Sequence, residues 1–490
     1  MGEGGTAGRT IIRGAQANAA GFLVRFAARL IFLFVAGRLY GAGLFGAFVL
    51  AAALVELGVS LGSLSTKKTL FPLLERHADS PGRPLAHILI DAALLVTLVS
   101  LALAGMLMLG AILLAPPDTA AALIMLAPMI AGQALLDLFL AAARWKQKVR
   151  YEVISRSLIE PWFLALGAIA AFYAGFTEHG LIAGYWCGTL AALCYAVRGA
   201  AANYPGFDLV RYRPSGAIFR AIGRAASANS ATDFLNALYM RVDLYLVGFL
   251  LGEGPTGIYG MARQVATPIR QVRQSFDGLL VPAVSRTIAL SNAGGTAEAL
   301  ASATRLILVI QLPLLIAMVA IGAPLMAFLG DGFEAAYWVL LILAAAEILQ
   351  SALGVGDLVF VYRRPRIGLY LTLIGIGAGV AASLMLIPGF GITGAAAGLF
   401  AAYALRSVLR ILVLHRTFAI SLPSAHLAGP LIAAGAAAAL ILVIPSALFA
   451  LAAGLAAYAL LLWIWLRASG QRLALTGFAA ERPAQADFQA

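Results

Sequence analysis

Long apolar runs follow one another along the whole chain, and short polar segments separate them. A run of about 18 apolar residues or more can cross a bilayer as a helix. The runs show no alternation with a period of two, so helices are predicted and strands are not. Because only Ile444-Pro445-Ser446 separates the last two of the 14 runs, a count of 13 stays open. The runs lie near residues 16–38, 44–66, 86–114, 119–143, 151–176, 180–200, 222–250, 256–282, 298–328, 334–361, 366–387, 391–414, 427–445 and 447–467.

Composition agrees with a chain that lies mostly in lipid. Hydrophobic residues make up 62% of the 490 residues and charged residues 11%, and the mean hydropathy is +0.93. Soluble chains are about half apolar and a quarter charged. The sequence therefore predicts an all-α integral membrane protein. Cys187 and Cys194 lie seven positions apart on one predicted helix, too distant for a disulfide, and are expected to be packing residues.

Positive charges are concentrated in every second loop, which predicts that these loops and both termini are cytoplasmic. This loop pattern explains the net charge of +12 without a nucleic-acid partner. The first apolar run is too long, and too interrupted by Arg25 and Arg29, for a cleavable signal peptide. The basic loops carry Lys67, Lys68, Arg76, Arg83, Arg144, Lys146, Lys148, Arg150, Arg198, Arg211, Arg213, Arg220, Arg286, Arg363, Arg364, Arg366, Arg416, Arg467 and Arg472. The alternate loops carry Asp118, Glu178, Glu253, Asp331 and Glu334, with Arg38 as the exception.

A glycine motif with the spacing G-x-G-x-x-G occurs at Gly41, Gly43 and Gly46. A dinucleotide-binding loop with this spacing needs a preceding strand and a following amphipathic helix in a soluble unit. Here membrane-length apolar runs lie on both sides, so the motif predicts a tight turn between two membrane helices. No cofactor is predicted.

The motif returns 211 positions later, at Gly252, Gly254 and Gly257. Asn18 aligns with Asn229 at the same offset. Six predicted helices separate the copies, so both enter the membrane in the same direction, as in a parallel repeat of two six-helix lobes. The predicted domains are an N-terminal lobe at 1–202, a cytoplasmic linker at 203–217, a second lobe at 218–418 and a C-terminal helix pair with a tail at 419–490.

Both glycine segments resemble signatures of bacterial polysaccharide-export proteins. Residues 38–51, RLYGAGLFGAFVLA, resemble their first hairpin, and residues 241–262, RVDLYLVGFLLGEGPTGIYGMA, are similar to their second-half signature. These proteins are flippases of lipid-linked oligosaccharides for O-antigen and exopolysaccharide synthesis. They belong to the multidrug/oligosaccharidyl-lipid/polysaccharide exporter superfamily, which also contains cation antiporters and the lipid II flippase. The resemblance implies an undecaprenyl-pyrophosphate-linked substrate, the bacterial inner membrane and a polysaccharide polymerase as a partner. It implies no oligomeric state.

Polar residues inside the predicted spans are the candidate functional residues, because charge in a membrane is costly and usually faces a cavity. Arginine binds phosphate oxygens through paired hydrogen bonds, and amide side chains can bind sugar hydroxyls. Several of these charges also have a structural alternative to binding substrate. Arg273 can pair with Asp277, Arg241 and Asp243 can join their helix to a neighbouring helix, and the Arg29 side chain can extend to the membrane interface. The predicted headgroup-binding residues are Arg25, Arg29, Arg241, Arg263, Arg270, Asn229, Asn236 and Gln271.

Acidic residues inside the spans are candidates for ion coupling. These are above all Glu56, Asp91 and Asp137, with Glu347 and Asp357 as further candidates. A carboxylate in such a site can bind and release a proton, although pairing with a basic side chain opposes protonation. Such pairing is the alternative role for Asp91 and Asp137.

No catalytic or metal-binding constellation is predicted. The five histidines lie in loops or at helix ends without ligand spacing, and the chain has no Walker motif. The resemblance to polysaccharide-export proteins, together with the predicted basic lining, implies a lipid-linked oligosaccharide flippase as the favoured function. The alternatives are a small-molecule/cation antiporter of the same superfamily, a lipid II flippase and a membrane enzyme of envelope polymer synthesis. The predicted basic lining and the extra helix pair count against the antiporter.

Overall fold

The structure, a computed structural model, describes residues 24–78, 84–206, 212–289, 293–421 and 425–469. Asn18, which the predicted repeat aligns with Asn229, lies outside these ranges, and so does the side chain of Asp277. The described residues form helices joined by turns, and they contain no strand. The predicted all-α fold is confirmed.

Nine helices precede residue 206 within the described ranges. They are α1 at 24–35, which continues through a π-helical turn Ala36–Tyr40, α2 Gly41–Gly62, α3 Thr66–Ala78, α4 Leu85–Leu114, α5 Pro117–Leu126, α6 Met129–Trp145, α7 Arg150–Ile154, which continues through a π-helical turn Ser155–Ile159, α8 Glu160–Tyr173 and α9 Gly180–Asn203.

Nine further helices follow in the described part of the chain. They are α10 Gly216–Tyr239, α11 Val242–Leu251, α12 Glu253–Ala289, α13 Ala293–Leu329, α14 Tyr337–Leu353, α15 Asp357–Arg363, α16 Pro365–Phe418, α17 Ala425–Ile441 and α18 Ala447–Ser469, with short 3-10 turns at Phe333–Ala336 and Gly354–Gly356.

Within the described ranges, nine helical stretches are long and apolar enough to cross a membrane. The count is ten when α10 and α11, bent by 55° at their junction, form one span. The 37-residue α12 is not among them because polar and basic residues interrupt its apolar positions. The predicted total of 14 spans stays a prediction.

Two of these stretches are 54 residues long and reverse direction at a glycine. In the stretch Val24–His77 the rings of Phe32 and Phe45 lie 6.5 Å apart. Thirteen residues of straight helix would separate them by about 20 Å, so the chain folds back at Gly41, whose φ is 75°. The stretch Pro365–Phe418 folds back in the same way at Gly391, whose φ is 53°.

The second copy of the glycine motif has the same backbone geometry as the first. Gly252 has φ 84° and ψ −170°, close to the φ 75° and ψ 177° of Gly41. The Tyr259 hydroxyl donates a hydrogen bond to Asp243, so α11 and α12 also fold back on each other. Only glycine adopts these angles without strain, which explains why a glycine stands at both positions.

The two hairpins pack against each other through backbone atoms. A Cβ at Gly46 would overlap the carbonyl of Glu253, and a Cβ at Gly257 would overlap the carbonyl of Ala42. Each glycine therefore lets the first turn of α2 and the first turn of α12 approach to backbone contact. This reciprocal contact joins the two copies of the motif.

Residues that the charge pattern places in outer loops come together near these hairpins. Glu178, His179 and Glu253 line one cavity of about 460 Å³. Arg38, the exception to the charge pattern, forms an ion pair with Asp331 at 3.0 Å. The orientation of the termini stays a prediction.

The chain divides into two compact units. The first contains residues up to Met261 together with Ala327–Ala335, and the second contains Ala262–Met326 together with the residues from Ala336 onward. The core of the first unit includes Leu74 of α3, Ile88 of α4 and Leu138 of α6, all fully buried. The predicted domain boundaries stay a prediction.

We expect Gly257→Ala to destabilise the protein by about 1–3 kcal/mol, because the new methyl group overlaps the Ala42 carbonyl. Gly254→Ala is the matched control, since the space around Gly254 is open and both residues lie in the first turns of α12. Thermal unfolding of the purified protein in detergent measures both. Equal unfolding temperatures for the two variants would contradict the backbone contact.

Candidate functional site

The connection between α2 and α3 directs two lysines into the first unit. Leu64 and Ser65 have φ values of 51° and 48°, a left-handed conformation that costs about 1–3 kcal/mol for residues other than glycine. The Ser65 hydroxyl offsets this cost by donating a hydrogen bond of 2.7 Å to Asp233. The turn places Lys67 and Lys68 at the beginning of α3.

A π-helical turn positions the principal arginine of the site. The turn Ser155–Ile159 lies between α7 and α8 and contains Arg156, and Glu160 follows it directly as the first residue of α8. Such single π turns inside α-helices are frequent at functional sites. Arg156 and Glu160 form an ion pair at 2.8 Å.

Asp137 of α6 lies at the centre of the charged side chains. Its two carboxylate oxygens accept from different cations: Oδ1 lies 2.6 Å from Nη2 of Arg156, and Oδ2 lies 3.0 Å from Nζ of Lys67. The Asp137 side chain is only 12% exposed, whereas Lys67 is 54% exposed. Burial makes an unpaired charge costly, and these two cations are the charged partners of the Asp137 carboxylate.

Gln133, one turn before Asp137 on α6, completes the network. Its amide nitrogen donates to Glu160 at 2.9 Å and to the Thr189 hydroxyl at 3.0 Å. Its amide oxygen accepts from Arg156 at 3.1 Å. Helices α6, α8 and α9 are thereby linked by polar contacts in the interior of the unit.

These side chains line a cavity of about 540 Å³, hereafter the polar cavity. Its charged lining consists of three cations, Lys67, Lys68 and Arg156, and four carboxylates, those of Glu56, Asp137, Glu160 and Asp233. The excess of arginine expected from the sequence does not occur in this lining. Its other lining residues are Val59, Ser60, Ser63, Ser65, Thr66, Gln133 and Tyr185.

Two of the predicted arginines belong to the surroundings of the polar cavity. Arg241, at the bend between α10 and α11, forms an ion pair with Glu56 of the lining. Arg25 of α1 lies within electrostatic range of Glu160 and Arg156. Arg29, one turn further along α1, is half-buried.

The predicted amides of α10 lie at its surface. Asn236 is exposed, and Asn229 is half-buried and donates a hydrogen bond to the carbonyl of Ala225 in its own helix. Asp233 of the same helix reaches the polar cavity and pairs with Lys68 at 2.6 Å.

The other predicted headgroup-binding residues lie on α12 in the second unit. Arg270 pairs with the buried Glu347 of α14 at 3.3 Å. Arg263 and Gln271 are half-buried. The role of these residues in binding stays a prediction.

The remaining acidic candidates have structural partners. Asp91 is fully buried and accepts hydrogen bonds from the Tyr212 hydroxyl and the backbone N–H of Ser215, which hold the segment before α10. In the second unit, Asp357 pairs with Arg410 at 2.7 Å and with Arg406 at 3.3 Å. Ion coupling through Glu56, Asp91 or Asp137 stays a prediction.

Five polar residues of these networks are not among the predicted functional residues: Gln133, Arg156, Glu160, Arg406 and Arg410. Arg156 and Glu160 are four positions apart inside an apolar run, and so are Arg406 and Arg410. Charged residues at this spacing share a helix face, and this signal was present in the sequence. The charge pattern predicts a loop at Lys67 and Lys68, and this is wrong because the chain turns at Leu64 and Ser65 and then forms α3.

Comparison with known proteins gives one family match. The family model described as "Polysaccharide biosynthesis protein" matches residues 90–337, which is half of the chain. No curated protein gives a match in a sequence search.

Solved structures with a similar fold are membrane transporters. The lipid II flippase MurJ in an inward closed conformation has a TM-score of 0.76 at 13% identity, over 92% of this chain and 100% of that chain. A multidrug resistance MATE family transporter of the MOP superfamily in an inward-facing conformation has a TM-score of 0.64 at 13% identity, over 81% and 94%. At such low identity the similarity shows the fold.

We expect Asp137→Ala to destabilise the protein by about 3–5 kcal/mol, because it leaves Arg156 without one of its buried partners. Lys67→Ala removes the exposed partner of the same carboxylate and should cost about 1 kcal/mol or less. Thermal unfolding of the two variants in the same detergent gives the comparison. A larger loss for Lys67→Ala than for Asp137→Ala would show that the cluster is organised differently.

Proposed function

Since this chain belongs to the polysaccharide biosynthesis protein family, and its membrane-length helices have the fold of MOP-superfamily transporters, we propose that it is a flippase for an undecaprenyl-pyrophosphate-linked oligosaccharide. It moves the repeat unit from the inner to the outer leaflet of the bacterial cytoplasmic membrane. The product serves cell-surface polysaccharide synthesis, either of O-antigen in lipopolysaccharide or of exopolysaccharide. A polysaccharide polymerase is its proposed partner.

The polar cavity is the observation that carries this proposal. It brings Lys67, Lys68 and Arg156 to one cavity of a unit built from membrane-length apolar helices. Phosphate oxygens accept strong, charge-assisted hydrogen bonds from such cations. The hydroxyls of Ser60 and Ser63 in the same lining can bind sugar hydroxyls.

Binding of the pyrophosphate is proposed as an exchange of anions. Asp137 and Asp233 occupy Lys67, Arg156 and Lys68 in this structure. A pyrophosphate brings negative charge to the same cations and replaces the carboxylates as their partner. The apolar lipid chain meanwhile stays in the bilayer, so the cavity encloses the headgroup alone.

The predicted headgroup residues outside the lining extend this proposal. Arg25 and Arg241 lie beside charged lining residues. Arg29 follows Arg25 on α1, and Asn229 and Asn236 precede Arg241 on α10. We assign Arg263, Arg270 and Gln271 of α12 to the headgroup at another stage of an alternating-access cycle.

Ion coupling follows from the same exchange. A carboxylate that loses its cation to the pyrophosphate becomes costly to keep ionised and tends to bind a proton. Asp137 is the first candidate because it pairs with two cations. Glu56, which pairs with Arg241, is the second. Asp91 lies outside the lining, so its coupling role is the least supported.

A cation antiporter is the second candidate function. The four carboxylates among the seven charged lining residues of the polar cavity favour it. A lipid II flippase has the same mechanism and a similar fold, and it differs only in the headgroup.

In a strain that lacks this protein, we expect loss of surface polysaccharide and accumulation of its lipid-linked repeat unit in the inner leaflet. A plasmid copy with Lys67→Gln or Arg156→Gln should restore less than about a tenth of the polymer, because each loses a charged hydrogen bond to phosphate worth about 1.5–3 kcal/mol. Lys148→Gln, in an exposed basic loop, should restore it fully.

Membrane levels of each variant, measured by immunoblotting, control for folding. Intact polymer in the deletion strain together with new sensitivity to cationic compounds would favour the antiporter. Normal polymer but arrested cell-wall synthesis would favour the lipid II flippase.

A further inference from the structure

A third and smaller pocket, hereafter the small pocket, lies between α3 and α10. Its volume is about 280 Å³. Leu73 and Ile222 of its lining belong to the hydrophobic core of the first unit, so the base of the pocket is apolar. Its other lining residues are Lys68, Thr69, Pro72, Arg76, Ala221, Ala225 and Asn229.

The lining of this small pocket differs from that of the polar cavity in the sign of its net charge. Its charged lining residues, as far as the structure describes them, are Lys68 and Arg76, both cations. Arg220 and Arg224 are exposed on α10, each one position before the lining residues Ala221 and Ala225. The small pocket is therefore basic, whereas carboxylates outnumber cations around the polar cavity.

Lys68 belongs to both linings. Its Nζ lies 2.6 Å from Oδ1 of Asp233, which faces the polar cavity and also accepts from Ser65. The Lys68–Asp233 ion pair thus stands where the small pocket adjoins the polar cavity. An anion in the small pocket competes with Asp233 for Lys68.

We propose that the small pocket is the site where the pyrophosphate of the lipid-linked substrate binds first, before it passes Lys68 into the polar cavity. This inference rests on the proposed flippase function. Arg76 offers the paired N–H groups that suit phosphate oxygens, and Lys68 offers a point charge.

The size and the location of the pocket agree with this ligand. Pockets that enclose a drug-sized ligand measure about 300–1,000 Å³, so this one suits a pyrophosphate and excludes an oligosaccharide. Lys68 and Arg76 lie on α3, in a basic segment that the charge rule assigns to the cytoplasmic side. A lipid-linked repeat unit awaiting export is present on that side.

The test measures binding of undecaprenyl pyrophosphate to the full chain in nanodiscs of neutral phosphatidylcholine. Arg76→Gln should weaken binding about tenfold, the loss expected for one charge-assisted hydrogen bond. Asp233→Asn should strengthen binding several-fold, because it frees Lys68. Arg150→Gln, an exposed arginine of another basic loop, should bind as the wild type does. Lys68→Arg, which keeps the charge, should retain most of the affinity and shows that the site still folds.

The outcomes separate this inference from the function on which it rests. Wild-type binding that Arg76→Gln and Asp233→Asn both leave unchanged would overturn the small-pocket site and leave the flippase function standing. No binding of undecaprenyl pyrophosphate to the wild type would overturn the flippase function itself. Displacement by phosphatidylglycerol at equal concentration would assign the pocket to a phospholipid phosphate and overturn its role in substrate binding.

Discussion

A charged side chain inside a bundle of apolar helices has to be paired, because hydrocarbon offers no water to solvate it. In the first unit this constraint is met around Asp137, which holds Lys67 on one oxygen and Arg156 on the other. Gln133 and Glu160 extend the network to α8 and α9. Several structural features serve this pairing: the left-handed turn before α3, the π-helical turn before α8 and the bend that carries Arg241. A cavity with a charged lining can exist in this bundle because its cations and carboxylates form ion pairs with one another.

The same pairing gives the cavity its chemistry. Cations that already have carboxylate partners can exchange them for a pyrophosphate at a smaller net cost than bare cations, which would first have to be buried alone. The glycine hairpins add a close contact inside the same unit. Gly46 and Gly257 let α2 and α12 meet backbone to backbone, with no side chain between them.

The sequence predicted the helical architecture well because the length of the apolar runs indicates where the helices lie. The run near 180–200 corresponds to α9 Gly180–Asn203, and the repeat offset brought together Gly41 and Gly252, whose backbone angles agree closely. The site was predicted less well. Lys67 and Asp137 are 70 positions apart in sequence, so periodicity along one helix cannot relate them. Leu64 and Ser65 adopt a conformation that their side chains do not favour, and a π-helical turn has no sequence signature. The arginine-rich lining was inferred from single helices, whereas the charge of a cavity depends on all the helices around it.

Movement of the lipid-linked headgroup between leaflets is the most direct test of this account. The purified protein can be reconstituted into liposomes that contain a fluorescent undecaprenyl-pyrophosphate oligosaccharide, and a membrane-impermeant quencher then reports the fraction in the outer leaflet over time. The account predicts protein-dependent transfer of the fluorescent lipid to the quenched leaflet, together with much slower transfer when Lys67 and Arg156 are both replaced by glutamine. Transfer no faster than in protein-free liposomes would contradict it.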